Sequence, residues 1–464
     1  MKMKTKLKTA LVQCPAWGRH CPPPALGLLA AALRQRGHEV AVFDFNNAFH
    51  EAAPAREKAL WGDCGFWEDP RRVARFASAH EARIDAAVTE ILDSEARVVG
   101  FSIFNSSIET SLRFARKIKE RDPGRIVVFG GPQVALNWKG RAALGYADVD
   151  AVVSGEGEVT LPEMVEGIER RGRLQPTPGA WTRISGRMVG IKPRPEIADL
   201  DQVPFPDYSG FDFARYEFPD KMYTFLTRGC INRCVFCGES LFVERFRHRT
   251  GPRVHAEIRH EVSRHPEIGL FEFSDCLING RLQELMALAD LLIEQGPKIR
   301  WQAQAIVRPF MTRGVFDKLA ASGCREMLFG IESGSQRVID RMRKGFRVAD
   351  AENVVRDAAQ AGIDVVANFM VGFPGETDAD FAATLAFVEK NARWIRYVNP
   401  DQTTTGMAPG TYLWEHWDEF GIVEPDGLNW RTRDGRNTID IRRGRYERFR
   451  KRCKALGVQE NPRK

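Results

Sequence analysis

Thr227-Arg-Gly-Cys230-Ile-Asn-Arg-Cys234-Val-Phe-Cys237-Gly238 places three cysteines in one short stretch, spaced C-x3-C-x2-C, with no fourth cysteine in the same loop. Three thiolates can hold three irons of a [4Fe–4S] cluster and leave the fourth iron open to a small molecule. A ferredoxin-type cluster uses four cysteines and only carries electrons. A structural zinc site is the other chemistry open to this spacing, and it wants four ligands. His248 could complete a Cys3His set, but it stands eleven residues past Cys237 in an arginine-rich stretch.

Outward from this stretch the chain alternates apolar runs with helical patterns. Downstream, strands are predicted at Met222–Thr227, Leu270–Ser274, Arg300–Ala305, Glu326–Gly330, Asp364–Val371 and Ile395–Val398. Helices near 252–265, 281–295, 312–322, 350–361 and 377–392 separate them. Six β/α units fit a partial (β/α)6 barrel over 222–403, with active residues at the strand carboxyl ends. Upstream, strands at Leu7–Cys14, Glu39–Phe45, Arg97–Ile103, Arg125–Gly130 and Val149–Ser154 alternate with helices, the first at Pro24–Arg36. That pattern gives an α/β, doubly wound (Rossmann-like) domain over 1–191, with a parallel sheet covered on both faces. Its ligands belong beyond the carboxyl ends of the strands. Residues 192–221 are proline-rich and read as a linker. Residues 404–464 read as a short helical carboxy-terminal appendage.

Hydrophobic residues make up 43% of the 464 and charged residues 28%, a soluble globular composition. No apolar run reaches the length of a membrane span, and the basic amino terminus lacks the apolar core of a signal peptide. Nine scattered cysteines do not form a disulfide framework, which points to a reducing compartment, the cytoplasm. Of the net charge of +7, residues 431–464 hold thirteen Lys/Arg against four Asp/Glu. A basic tail can contact an anion, a nucleic acid or a membrane surface. The simpler reading is a solvated terminal helix from about Ile441 to Leu456, with Tyr446, Phe449 and Cys453 on its apolar side.

The cysteine triad is one of a series of short motifs. It is followed by Phe246-Arg-His-Arg-Thr-Gly-Pro-Arg-Val-His-Ala-Glu257, Phe271-Glu-Phe-Ser-Asp275, Phe329-Gly-Ile-Glu332-Ser-Gly334, Val371-Gly-Phe-Pro-Gly-Glu-Thr377 and Met407-Ala-Pro-Gly-Thr411. Upstream stand Pro22-Pro-Pro-Ala-Leu-Gly, Gly130-Gly-Pro-Gln133 and Gly155-Glu-Gly-Glu158. As an ordered set these resemble the radical S-adenosylmethionine (SAM) enzymes that carry an amino-terminal cobalamin-binding domain. The resemblance covers roughly residues 7–420.

The resemblance implies three cofactors: a [4Fe–4S] cluster on Cys230, Cys234 and Cys237, SAM on its open iron, and cobalamin in the first domain. For SAM it implies Phe236, Ser274, Asp275, Glu332 and the turn Gly372-Phe373-Pro374. Each has a plainer role beside this one. Phe236 could shield the cluster, Ser274 and Asp275 could cap the next helix, and Glu332 could pair with Arg308 or Arg325. The glycine turn is also a tight β–α connection. For cobalamin it implies Ser102, Asn105, Ser106, Gly130, Gly131, Pro132, Gln133, Gly155 and Glu156, the glycines permitting close backbone approach. No D-x-H-x-x-G motif is present to supply a histidine to cobalt, and His20 lies in the wrong context.

The implied reaction is methyl transfer. A 5′-deoxyadenosyl radical removes hydrogen from the substrate, and methylcobalamin donates a methyl group to an unactivated carbon or to phosphorus. The alternative within the family is radical cyclisation, ring contraction or carbon–carbon coupling without net methylation. No separate catalytic base stands out. The implied partners are a small-molecule or lipid-like substrate and a flavodoxin- or ferredoxin-type reductant. The aromatic residues Trp61, Phe66, Trp67, Trp414 and Trp417 could line an apolar pocket, or serve as core. A tRNA-modifying radical SAM enzyme is the reading from another class. It fits less well, because Cys14, Cys21 and Cys64 are irregularly spaced and residues 404–464 do not read as a terminal β-barrel.

Overall fold

A computed structural model describes residues 6–132, 134, 145–399 and 404–461. The chain forms two compact units, Met1–Tyr223 and Thr224–Lys464.

The first unit is built on a seven-stranded sheet in the order β2-β1-β3-β4-β5-β6-β7. These strands are β1 (Lys8–Gln13), β2 (Glu39–Asp44), β3 (Val98–Ser102), β4 (Ile126–Gly130), β5 (Ala151–Val153), β6 (Ala180–Ile184) and β7 (Arg187–Gly190). The first five run parallel, and the β6–β7 hairpin adds antiparallel to β5. Alternate residues of each strand point to opposite faces. Ala10, Val12, Val99, Phe101, Val127, Phe129 and Val152 thus enter one core, with the helices Pro70–Ala79, Glu81–Asp93 and Ile108–Arg121. Leu11, Val98, Val128, Ala151 and Val153 enter the other, with the helices Pro24–Gln35 and Gly157–Arg171. This is the doubly wound arrangement that the run of apolar strands predicts.

Residues 192–221 pack on this unit through directed bonds. Arg34 pairs with Asp207 at 2.5 Å, Asp207 N–H donates to the Gly27 carbonyl at 2.9 Å, and Tyr216 Oη donates to Asp44 at 2.5 Å.

The second unit carries a seven-stranded sheet in the order β16-β15-β14-β13-β12-β11-β8. Its strands are β8 (Lys221–Thr224), β11 (Leu270–Phe273), β12 (Arg300–Ala305), β13 (Cys324–Glu332), β14 (Asp364–Phe369), β15 (Tyr397–Val398) and β16 (Gln459–Glu460). From β11 to β16 each neighbouring pair is parallel. Helices at Gly251–Arg264, Leu282–Gln295, Arg313–Ala321, Val348–Gln360 and Asp378–Asn391 form the crossovers. Met327, Phe329 and Ile331 of β13 are buried, as are Val365, Ala367 and Phe369 of β14. Phe369 meets Phe387 edge-on and Phe449 at a tilt, both on flanking helices. The six predicted strands of the partial barrel are all present. The seventh, β16, comes from the end of the chain, where two polar residues give no strand signal.

The terminal helix spans Ile439–Ala455. Phe449 and Cys453 are buried, and Tyr446 is half-buried. Arg442 and Arg445 are buried on the same helix, so the arginine-rich tail is not a wholly solvated face. Arg450 pairs with Glu460, and Arg452 with Glu389 at 2.5 Å, which neutralises further charge within the chain.

Candidate functional site

The short strands β9 (Thr227–Arg228) and β10 (Arg247–His248) pair antiparallel, Thr227 with His248 and Arg228 with Arg247. They close the loop that carries the three cysteines. Gly229 opens the loop at φ +78°, and a Cβ there would lie 2.8 Å from the Arg245 carbonyl oxygen. Only glycine fits both demands. The Asn232 N–H donates to Cys230 Sγ at 3.4 Å, and the Cys237 N–H to the Cys234 carbonyl at 3.1 Å. Val235 is fully buried, its N–H on the Met342 carbonyl at 3.2 Å and its carbonyl on the Leu413 N–H at 2.8 Å.

The three thiols are free and half-buried. Burial pushes all three above the ordinary thiol range, Cys234 to about 11, and the Cys234 thiol feels both others electrostatically. Among the described residues no three His, Cys, Asp or Glu side chains converge on a single ion. A cubane does not require them to, since each thiolate binds its own iron, whereas a zinc site does. His248 Nδ1 donates to the carbonyl of Arg249 at 3.2 Å. The donor set therefore fits a three-cysteine cluster better than a Cys3His ion site.

Glu332 ends β13 beyond an irregularity in the register with β14, and it has φ +66°. A non-glycine residue in that region costs about 1–2 kcal/mol, and such strain concentrates at functional sites. Its carboxylate accepts from Lys344 Nζ at 3.0 Å, with both side chains almost wholly buried. The pairing with Arg308 or Arg325 weighed from sequence is not the one formed. Burial works against the Lys344 ammonium, but Glu332 and the thiols of Cys234 and Cys237 outweigh it and its pKa rises. Lys344 also lies 5.9 Å from the ring centre of Phe236, and its carbonyl accepts from Asn232 Nδ2 at 3.1 Å. Sequence reasoning missed Lys344. Its signal was a lysine twelve residues past Glu332 in an otherwise unremarked helix-to-loop stretch.

Asp275 follows β11, is buried, and accepts the N–H groups of Leu226 (3.0 Å) and Thr227. It fixes the backbone that leads into the cysteine loop and does not cap the helix after it. Burial lifts its carboxyl to about 6 against these bonds. Ser274 is exposed, and its hydroxyl donates to the Thr224 carbonyl at 3.2 Å. Cys276, next in sequence, is hydrogen-bonded to Glu239 and feels the Cys230 and Cys237 thiols. A fourth thiol thus lies near the triad, although it is far from it in sequence. The motif after the triad has a structural use: Arg249 and Glu257 form a buried pair at 2.6 Å, with Arg249 stacked over Phe225 at 3.9 Å.

The turn Gly372-Phe373-Pro374-Gly375 lies past the carboxyl end of β14. Gly372 has φ +75° and Gly375 φ +81°. Phe373 is buried and meets Phe236 edge-on at 6.5 Å, so the turn and the cysteine loop share one aromatic contact. Trp414 and Trp417 pack on the same small core.

In the first unit, Ser102 is buried, Asn105 is exposed, and Ser106 Oγ donates to the Ala16 carbonyl at 2.6 Å. Gly131 has φ +112°, and a Cβ there would lie 2.7 Å from the Ile103 carbonyl oxygen. Its glycine is therefore demanded by the neighbouring loop of its own domain, not only by close approach of a ligand. Gly130 would tolerate a Cβ at ordinary contact distance from Val153. Gly155, at φ +79°, faces open space, which suits a cradle for a broad ligand. Glu156 is turned to structure, its Oε2 accepting the Ile197 N–H at 2.6 Å. Pro132 is exposed, and Gln133 lies outside the described residues. Exposed Asn105, Pro132 and Gly155 at adjacent parallel strand ends fit the edge of a large planar group. Trp61, Phe66 and Trp67 pack edge-on with one another and with Phe76 as core, in a different unit from Trp414 and Trp417.

Comparison with known proteins agrees with this layout. The family model described as the Radical SAM superfamily matches residues 224–388, and that described as the B12 binding domain matches residues 73–165. An uncharacterized methyltransferase of Pyrococcus horikoshii is 29% identical over 340 residues, 72% of each chain. The cytidylyl-2-hydroxyethylphosphonate methyltransferase of Streptomyces wedmorensis is 26% identical over 415 residues, 79% of this chain and 73% of its own. The radical S-adenosylmethionine methyltransferase TsrM of Kitasatospora setae, solved with cobalamin and a [4Fe–4S] cluster, shares the fold. Its TM-score is 0.69 at 18% identity, over 91% of this chain and 80% of its own.

Proposed function

The chain belongs to the radical SAM enzymes that carry an amino-terminal B12-binding domain, and from that premise we propose that it moves a methyl group of SAM onto an unactivated carbon, or phosphorus, of a small molecule. The observation that carries this reading is the three-thiol loop beside a buried Glu332–Lys344 pair, in a chain whose first unit matches a B12-binding domain. When bound, the cluster supplies the electron that cleaves SAM and the corrinoid carries the methyl group.

The residues divide the work. Cys230, Cys234 and Cys237 hold iron. Glu332 offers a buried carboxylate to the ribose of SAM, and Lys344 orients it through their contact at 3.0 Å. Asp275 acts indirectly, through the backbone of Leu226 and Thr227. Ser274, Phe236 and the turn Gly372-Phe373-Pro374 line the remaining SAM contacts. Ser102, Asn105, Ser106, Gly130, Gly131, Pro132, Gly155 and Glu156 form or support the corrinoid edge of the first unit. No D-x-H-x-x-G motif is present that would supply a histidine to a bound corrinoid. The reductant is a flavodoxin- or ferredoxin-type protein.

The test is anaerobic reconstitution with iron, sulfide, hydroxocobalamin and SAM under a low-potential reductant. The reading expects S-adenosylhomocysteine in an amount that tracks the retained corrinoid, together with 5′-deoxyadenosine. Formation of 5′-deoxyadenosine alone would turn the reading to cyclisation or coupling without methylation. Failure to retain any corrinoid would remove the methyl-transfer step.

A further inference from the structure

We propose that the carboxy-terminal segment is a clamp on the SAM site, in which Arg442 and Arg445 act as positioning residues for the turn Gly372-Phe-Pro-Gly-Glu376. This rests on the reading of that turn as an edge of the SAM pocket.

The turn is held from behind at every carbonyl. Asn437 Nδ2 donates to the carbonyls of Gly372 (2.9 Å) and Phe373 (3.4 Å). Arg341 Nε donates to Pro374 (3.0 Å), and Arg337 Nη2 to Gly375 (2.6 Å). Asn437 is fixed in turn by Arg442, whose Nη1 donates to its Oδ1 at 3.0 Å. The Arg442 guanidinium lies 3.8 Å over the Trp430 ring and donates to the carbonyls of Leu428 (2.6 Å) and Trp430 (2.9 Å). Its stem fills the place where a Gly372 Cβ would go, so both the positive φ at 372 and the buried Arg442 demand glycine there.

Arg445, one helical turn on, holds the other end. Its Nη1 donates to Glu376 Oε2 at 2.7 Å, with 4% and 0% of the two side chains exposed, and its Nη2 to Asp378 at 3.0 Å. The same Glu376 oxygen accepts the Gly372 N–H at 2.8 Å. Arg445, Glu376 and Gly372 thus close a ring across the turn. The planar guanidinium serves both carboxylates through a rigid fork of N–H donors, a geometry that a compact ammonium on a flexible stem does not reproduce. With its carbonyls drawn into the protein, the turn presents Phe373 to Phe236 of the cysteine loop. The tail is therefore part of the cofactor machinery, although it lies past every motif of the barrel.

Arg445→Met and Arg445→Lys, each reconstituted with the cluster, test this. Two readouts are taken: amide hydrogen exchange of the 372–376 segment, and SAM affinity by equilibrium dialysis, with iron content and melting temperature as controls. The clamp predicts at least tenfold faster exchange in 372–376 and at least fivefold weaker SAM binding in Arg445→Met, with iron content unchanged. Arg445→Lys recovers only part of both. Should Arg445→Met fail to fold, Arg445→Lys alone decides. Unchanged exchange at 372–376 in a folded variant overturns the clamp. Faster exchange with SAM affinity within twofold of wild type overturns its role in the SAM site. A wild-type chain that carries the cluster but binds no SAM instead refutes the reading of the site, and with it the role of the clamp there.

Discussion

Lys344→Met removes the cation from a pair that burial makes costly to break. At 3.0 Å and an effective dielectric near 20, the two charges attract by about 5–6 kcal/mol. Both were taken out of water to meet, so the net value of the pair is smaller than this. Loss of one partner still leaves the Glu332 carboxylate buried and unpaired, which typically costs about 3–5 kcal/mol. Glu332→Gln leaves the mirror problem at Lys344 and has a similar cost. The double variant leaves no stranded charge and recovers most of the loss. The assay is a double-mutant cycle on urea unfolding of the reconstituted protein. With a slope of about 3 kcal/mol/M, each single change lowers the midpoint by about 1–1.7 M, and the double variant lies well above the sum of the two. Single changes below about 1 kcal/mol that add without coupling would refute the argument and make the pair solvated in practice. Glu332→Gln is preferred to Glu332→Ala as the test of SAM binding, since it keeps the side-chain volume around Lys344.

Three further outcomes are expected. Cys276→Ser should leave the iron content of the reconstituted protein unchanged, because three thiolates suffice; loss of iron would make Cys276 a fourth ligand. Asp380 accepts from Ser335, Thr377 and Arg337, and although burial pushes its carboxyl up, these bonds hold it well below the usual carboxylate range. A depressed folded pKa stabilises above about pH 4 and loses that contribution as pH falls further. Asp380→Asn should therefore cost roughly 1–3 kcal/mol at pH 7, with the gap to wild type closing below pH 4 in melts taken across that range. Gly131→Ala should destabilise the first unit by about 1–3 kcal/mol through its clash with Ile103, seen as a lower melting temperature without any corrinoid present. A variant as stable as wild type would return Gly131 to a purely ligand-facing role.

The sequence made the architecture legible where side-chain periodicity is strong. The runs RVVGFSI and RIVVFG carry both cores of a two-faced sheet. The cysteine loop was legible because thiol spacing is itself the chemistry. Partners brought together by the fold were not legible. Glu332 met Lys344 rather than an arginine, because a change of register and a positive φ at the end of β13 turn its carboxylate toward the residue-344 loop. Asp275 met backbone amides of the strand before it in the barrel, a contact set by strand order and not by neighbours in sequence. The arginines of the tail read as surface charge because composition does not reveal that Trp430, Glu376 and Asp378 receive two of them.

The central claim is that Cys230, Cys234 and Cys237 together hold a redox-active cluster that opens to SAM. Its most direct test is iron content after anaerobic reconstitution, wild type beside each Cys→Ala variant. The account predicts about four irons per wild-type chain, as a [4Fe–4S] cluster requires, and loss of the intact cluster from every one of the three variants. A Cys230→Ala chain that keeps the full complement of iron and still cleaves SAM would contradict it.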